Sequence, residues 1–166
     1  MFSSFGLRDA ITPIVSFNHG MRSKERVKDG IKYGLIYTLG IMLIGFVGLE
    51  VFAEPFAGVF GLSGETKQLC VSAMRVISVS YMFAGANIAF QGIFQALDSG
   101  LESLIISVCR QFLFVIPVAY LFAELVISGT CGTWLVWMSF VIAEVLSVIV
   151  SVVFMKKVNT KKVMSM

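Results

Sequence analysis

The sequence predicts an all-α fold, a polytopic bundle of transmembrane helices. Hydrophobic residues make up 57% of the chain and charged residues 14%, whereas a typical soluble domain has about 25% charged residues. The mean hydropathy is +0.89, and the apolar residues fall into four long runs almost free of charge. Such a chain would expose extensive apolar surface in water, so we expect the lipid bilayer to be its solvent and partner.

Residues 1–20 are too short and too polar to span a bilayer alone. They also lack the basic region followed by an apolar core that marks a secretory signal. We interpret them as the remnant of a helix that begins earlier in a longer protein, with Met1 an internal methionine. Residues 21–32 carry several Lys and Arg and are predicted to form a basic cytoplasmic loop.

Four spanning helices are predicted within residues 33–154. A span needs roughly 20 mostly apolar residues, and the four qualifying segments are about 33–53, 76–97, 103–127 and 134–154. Turn-forming sequences separate them: Glu54-Pro55 with GLSGETK, then DSGLE, then SGTCGT. Residues 155–166 follow as a basic tail.

The basic residues predict the orientation. Nine Lys and Arg flank the bundle at its two chain ends, and two, Lys67 and Arg75, lie in or near the opposite loops. Positive residues concentrate in cytoplasmic segments. Both ends of a multi-pass protein of the plasma (inner) membrane are therefore predicted to be cytoplasmic, in agreement with an even number of spans.

Three amides recur every fourth residue in the second predicted span. Asn87, Gln91 and Gln95 share one helix face, and an unpaired amide in hydrocarbon is costly. They are either interhelical hydrogen-bonding groups or the polar lining of a substrate or ion pathway. Tyr81 is a weaker candidate for the same pathway.

Glu144 is the deepest charge, the eleventh residue of the 21-residue segment 134–154. It needs a partner, a proton or water, so it is either a proton- or cation-linked carboxylate or a structural hydrogen-bonding group. Arg110, about two turns inside the third span, either reaches the headgroups or pairs with Glu144 or Gln95. Pro117 removes a backbone hydrogen bond and predicts a kink.

The sequence offers no support for an enzyme, a metal site or a nucleic-acid-binding protein. GxSxG, P-loop and GxGxxG motifs are absent, and the single histidine and three scattered cysteines form no zinc-binding pattern. The basic residues adjoin apolar segments, which suits a membrane surface. No cofactor is expected.

Several stretches resemble the C-terminal part of the MATE (multidrug and toxic compound extrusion) antiporters. AITPIVSFNHGMRSKERVKDGIKYG, with Pro13 and Gly20, resembles the end of a helix and its following loop. FQGIFQALDSG resembles a helix end bearing phenylalanine and glutamine. ISVCRQFLFVIPVAYLF resembles a helix through Arg110, Gln111 and Pro117, and GTWLVWMSFVIAEVLSVIVSVVF resembles the last helix.

This resemblance implies twelve helices in two lobes, of which the chain would hold the end of helix eight and helices nine to twelve. It implies Na⁺- or H⁺-coupled export of small organic, often cationic, compounds, with a missing N-terminal lobe as partner. Some members carry an acidic residue within helix ten, where this chain has Asn87. The isolated chain is predicted to be inactive, because alternating access needs two lobes.

Two alternatives from the sequence remain. The chain is a stand-alone four-helix membrane scaffold or interaction protein, or it is a small exporter that dimerises. An intact N-terminus would favour the scaffold. The small exporter requires an essential Glu144, so retained export by Glu144→Gln would reject it.

Overall fold

The computed structural model describes residues 2–165, which form helices joined by short turns. The predicted all-α bundle is confirmed, because the described residues contain no strand. Two π-helical segments, Cys109–Val115 and Asn159–Val163, extend regular helices. The α-helices are α1 (Phe2–Gly20), α2 (Lys24–Val59), α3 (Gly64–Val79), α4 (Tyr81–Ala96), α5 (Gly100–Val108), α6 (Ile116–Ile127) and α7 (Trp134–Val158).

Three helical stretches of the described residues are long and apolar enough to cross a membrane: 24–59, 100–127 and 134–163. The bent pair of α3 and α4 makes a fourth crossing if the two helices are counted as one span. The bundle is thus consistent with the four predicted spans, one of which is broken.

The first spanning helix is longer than predicted at both ends. α2 has 36 residues, or about 54 Å at 1.5 Å per residue, so it exceeds a hydrocarbon core of about 30 Å. The predicted loop at 21–32 is therefore wrong beyond residue 23, where α2 begins. Lys, Glu and Arg are good helix formers, and packing of the buried Val27 stabilises this part of the helix. Glu54-Pro55 does not end the helix either, and Pro55 lies inside its last turns.

The second span starts earlier than residue 76 and is broken. α3 and α4 meet at Ser80 with a bend of 48°. The Ser80 Oγ donates to the Ile77 carbonyl at 2.7 Å, and a serine hydroxyl that bonds the preceding turn often accompanies a bent helix. The break lets α3 lie between α2 and α7 while α4 enters the centre of the bundle.

The third span contains a π-helical segment where a proline kink was predicted. It begins at Gly100 instead of residue 103, and the π-helical segment Cys109–Val115 ends just before Pro117. Pro117 then lies in the first turn of α6, where a missing N–H is tolerated. The segment carries Arg110 and Gln111, and π-helical turns are frequent at functional sites.

α4 is the central helix, because 11 of its 16 residues are buried. It packs against α1, α2, α5 and α7. Gly85 and Gly92 let neighbouring helices approach closely: a Cβ at Gly85 would lie 2.5 Å from the Met42 Cγ, and one at Gly92 would meet Arg8. Small residues at such contacts are typical of membrane bundles.

Candidate functional site: a buried polar cluster between α4, α7 and the π-helical segment

Asn87 on α4 makes the most complete set of interhelical hydrogen bonds around the centre of the bundle. Its Nδ2 donates to the Glu144 Oε2 at 2.7 Å and to the Glu144 carbonyl oxygen at 3.1 Å. Its Oδ1 accepts a bond from the Ser151 Oγ at 3.0 Å. The Asn87 side chain is fully buried, so the amide faces α7 and its two amide protons are both engaged.

Arg110 and Glu144 form an ion pair. The Arg110 Nη1 lies 3.5 Å from the Glu144 Oε1, and the two side chains are 20% and 11% exposed. The pairing considered from the sequence is therefore present. Their depths match because α5 begins at Gly100, which places Arg110 ten residues, or about 15 Å, into its span.

This ion pair lacks a hydrogen bond. The Arg110 Nη1 is buried without a hydrogen-bond partner, although the opposite charge of Glu144 is near. We call Asn87, Arg110, Glu144 and Ser151 the polar cluster. At one end of the cluster, Asn87 uses both amide protons and its Oδ1 in hydrogen bonds. At the other end, Arg110 and Glu144 interact mainly by Coulomb attraction.

Three further buried polar atoms on the same helices have no hydrogen-bond partner. They are the Gln91 Nε2 on α4 and the Ser147 Oγ and Trp137 Nε1 on α7. Gln91 lies one turn from Asn87, and Ser147 lies one turn from Glu144. Buried polar groups without partners are uncommon and ask for water, a ligand or a neighbouring chain.

The other predicted pathway residues lie apart from the polar cluster. Gln95 is exposed, and its Nε2 donates to the Ser103 Oγ at 3.2 Å. Tyr81 is half-buried and lies beside Gly45 of α2. The three amides thus have separate environments, and the pathway role of each stays a prediction.

The predicted motif residues outside the cluster are mostly exposed. Gln111 and Pro117 lie on the open side of the third span. Pro13 is inside α1 with its side chain exposed, and Gly20 is the last residue of that helix. None of these four contributes a polar group to the cluster.

The buried serines of α7 were not predicted from the sequence as site residues. Glu144, Ser147 and Ser151 recur at positions i, i+3 and i+7, so they share one face of an otherwise apolar helix. All three are buried. This spacing is the signal that would have identified Ser151 as the partner of Asn87.

The cluster contains oxygen atoms of the kinds that bind small cations. Carboxylate, amide and hydroxyl oxygens are the ligands that hard cations prefer. Among residues 2–165 no three His, Cys, Asp or Glu side chains are grouped closely enough to hold a metal ion. A cation at Glu144 would therefore be coordinated largely by neutral oxygens.

Comparisons with known proteins agree with the fold. Over 115 residues the chain is 25% identical to the FAD transporter of Shewanella oneidensis. The aligned region covers 69% of this chain and 25% of that protein. Over 132 residues it is 24% identical to the "Probable multidrug resistance protein NorM" of Thermotoga maritima, covering 80% of the chain and 28% of that protein. The chain thus spans about a quarter of the length of these relatives.

A solved structure gives the same architecture. The outward-facing conformation of a multidrug resistance MATE family transporter of the MOP superfamily superposes with a TM-score of 0.85 at 23% identity. The match covers 95% of this chain and 35% of the other. The family model described as MatE matches residues 1–121 of the 166. This match and the shared helix arrangement confirm the resemblance in the sequence, and the chain belongs to the MatE family.

Proposed function

We propose that the chain is most of the C-terminal lobe of a two-lobe secondary exporter. The observation that carries the proposal is the superposition on 35% of a MATE transporter, with 95% of this chain included. In this proposal a further lobe completes the central cavity. The exporter lies in the plasma (inner) membrane with both ends of this segment cytoplasmic, supported by the basic residues at both chain ends.

Glu144 is the proposed coupling group. Its carboxylate lies ten residues from the start of α7, near the middle of a bilayer, where a charge is tolerated only with compensation. Arg110 supplies that compensation without a hydrogen bond. A proton or Na⁺ that reaches Glu144 would replace the Coulomb attraction of Arg110, and Arg110 would then be free to take another position.

The proposed cargo is a small organic compound, often cationic. The likeness to a multidrug resistance transporter supports this class. The relative named as a FAD transporter supports a second class, an anionic flavin nucleotide. Arg110 is the group in the cluster that would favour an anion, so the charge of the cargo and the role of Arg110 are linked.

The test needs the complete reading frame around this chain, expressed in bacteria that lack other exporters. Efflux of ethidium and of a flavin nucleotide is compared between wild type and Glu144→Gln. We expect Glu144→Gln to abolish coupled efflux, because the amide neither titrates nor carries the charge. Glu124→Gln is the matched control, since Glu124 is exposed near the end of α6. Equal efflux by wild type and Glu144→Gln would reject the coupling role.

A second experiment separates the lobe proposal from the small-exporter alternative. Proteoliposomes that contain the 166-residue chain alone are loaded with substrate and given a proton or sodium gradient. We expect no transport, because one lobe cannot alternate about a shared site. Gradient-driven transport by the chain alone would favour the small dimeric exporter.

The amide pair Gln91 and Gln95 tests the pathway hypothesis. The Gln91 Nε2 is buried without a hydrogen-bond partner. A donor of this kind is available to bind cargo or water. We expect the Gln91→Leu/Gln95→Leu pair in the complete protein to lower drug resistance at normal expression. Unchanged resistance would leave both amides with a structural role only.

A further inference from the structure

An apolar groove ringed by lysines opens at the basic end of the bundle. One wall is α2, with Lys28, Ile31 and Lys32 at positions i, i+3 and i+4. The other wall is the end of α7, with Val152, Met155 and Lys156. The groove has a volume of about 340 Å³ and is separate from the polar cluster, none of whose members lines it.

The break at Ser80 explains why the groove exists. In one half of the bundle α3 fills the space between α2 and α7, since it packs against both. Beyond the 48° bend, α4 takes a deeper course. α2 and α7 are then separated at the surface, and the Phe90 ring of α4 lies between them as the floor.

The three lysines form no ion pair with a carboxylate of the described residues. The ion pairs within 4.0 Å in residues 2–165 are Arg8–Asp9 and Arg110–Glu144. All three lysines are exposed. The Lys32 Nζ also lies 5.7 Å from the centroid of the Tyr33 ring. Three lysine side chains therefore line one apolar groove.

We propose that this groove binds one anionic phospholipid. The phosphate lies among Lys28, Lys32 and Lys156, and an acyl chain follows the apolar surface of Ile31, Phe90 and Val152. Charge complementarity identifies the occupant, because basic pockets between transmembrane helices bind anionic headgroups. The apolar floor requires a ligand with a hydrocarbon part, which a free phosphate ion lacks. The site is independent of the exporter proposal.

The test is native mass spectrometry of the full chain in detergent, titrated with phosphatidylglycerol and, separately, with phosphatidylcholine. We expect phosphatidylglycerol to bind at least about tenfold more tightly, since each lysine near a headgroup contributes about fivefold. Equal affinity for the two lipids would overturn the proposal without any variant.

Charge-matched variants locate the site. The groove variant Lys28→Gln/Lys32→Gln/Lys156→Gln should lose about tenfold or more in affinity for phosphatidylglycerol. The control variant Arg26→Gln/Lys157→Gln/Lys161→Gln removes three exposed positive charges from the same end of the bundle and should change the affinity less than about twofold. Equal losses in the two variants would mean general surface attraction and would overturn the proposal.

A variant that fills the apolar part of the groove distinguishes binding of a whole lipid from binding of a headgroup-sized anion. Val152 is 38% exposed and lines the groove, so Val152→Trp should occupy the space of the acyl chain and leave the lysines in place. We expect it to abolish binding of phosphatidylglycerol. Undiminished binding by Val152→Trp would contradict the proposed path of the acyl chain.

Discussion

Asn87 donates both of its amide protons to Glu144, one to the carboxylate at 2.7 Å and one to the backbone oxygen at 3.1 Å. Two helices far apart in sequence, α4 and α7, are thereby joined through one side chain. The same amide accepts a bond from Ser151. An interhelical bond in a membrane contributes about 0.6 kcal/mol on average, so the number of bonds gives this contact its strength.

Replacement of Asn87 should therefore destabilise the bundle more than replacement of its neighbour Gln91. Asn87→Leu removes three bonds and should lower the free energy of unfolding by about 2 kcal/mol. Gln91→Leu is the matched control, because the Gln91 Nε2 has no partner. Unfolding in detergent, followed by circular dichroism, measures both. A larger loss for Gln91→Leu would contradict the hydrogen bonds described for Asn87.

The Arg110–Glu144 ion pair should appear as coupling in a double-mutant cycle. Arg110→Gln and Glu144→Gln each leave one buried charge without compensation, which costs about 3–5 kcal/mol. The double variant removes both charges, so it should be more stable than either single variant. Additive losses in unfolding free energy would show that the two side chains do not interact.

Lys162 should stabilise the end of α4. Its Nζ donates to the carbonyl oxygens of Leu97 and Asp98 at 2.8 and 2.7 Å, groups that a helix end leaves without partners. Lys162→Met should lower stability by about 1 kcal/mol and speed hydrogen exchange around residue 97. Lys161→Met, at an exposed position next to it, should leave that exchange unchanged. Similar exchange in both variants would contradict the capping role.

Two glycines of α2 should respond in opposite ways to a larger side chain. A Cβ at Gly34 would lie 2.8 Å from the Ile11 Cδ1, whereas Gly40 faces open space. Gly34→Leu should force α1 and α2 apart and cost about 1–3 kcal/mol. Gly40→Leu should be neutral or slightly stabilising, because leucine is a better helix former. Thermal unfolding of the two variants side by side is the measurement, and equal midpoints would contradict the close α1–α2 contact.

Much of the fold follows from composition and spacing. Apolar runs near 20 residues predicted four spans, because hydrocarbon admits helices that satisfy their own backbone. The described residues hold three spanning helices and a bent pair that could be a fourth. The boundaries were less accurate where polar sequence was helical. Lys24–Val59 continues through the basic segment and through Pro55, because charged residues can form a helix in water as well as a loop.

The sequence alone determined the class of the protein, its predicted orientation and the residues that needed partners. Asn87 and Glu144 stood out because isolated polar groups in apolar helices cannot be left unbonded. It could not decide which groups meet, because partners such as Asn87 and Ser151 are 64 residues apart in the chain. Only the tertiary structure decided that α4 passes through the centre, that Arg110 reaches the depth of Glu144, and that the break at Ser80 leaves a groove between α2 and α7. These three features depend on how the bent helices pack against one another. Helix packing brings together residues that are far apart in the chain, so their contacts cannot be derived from sequence spacing.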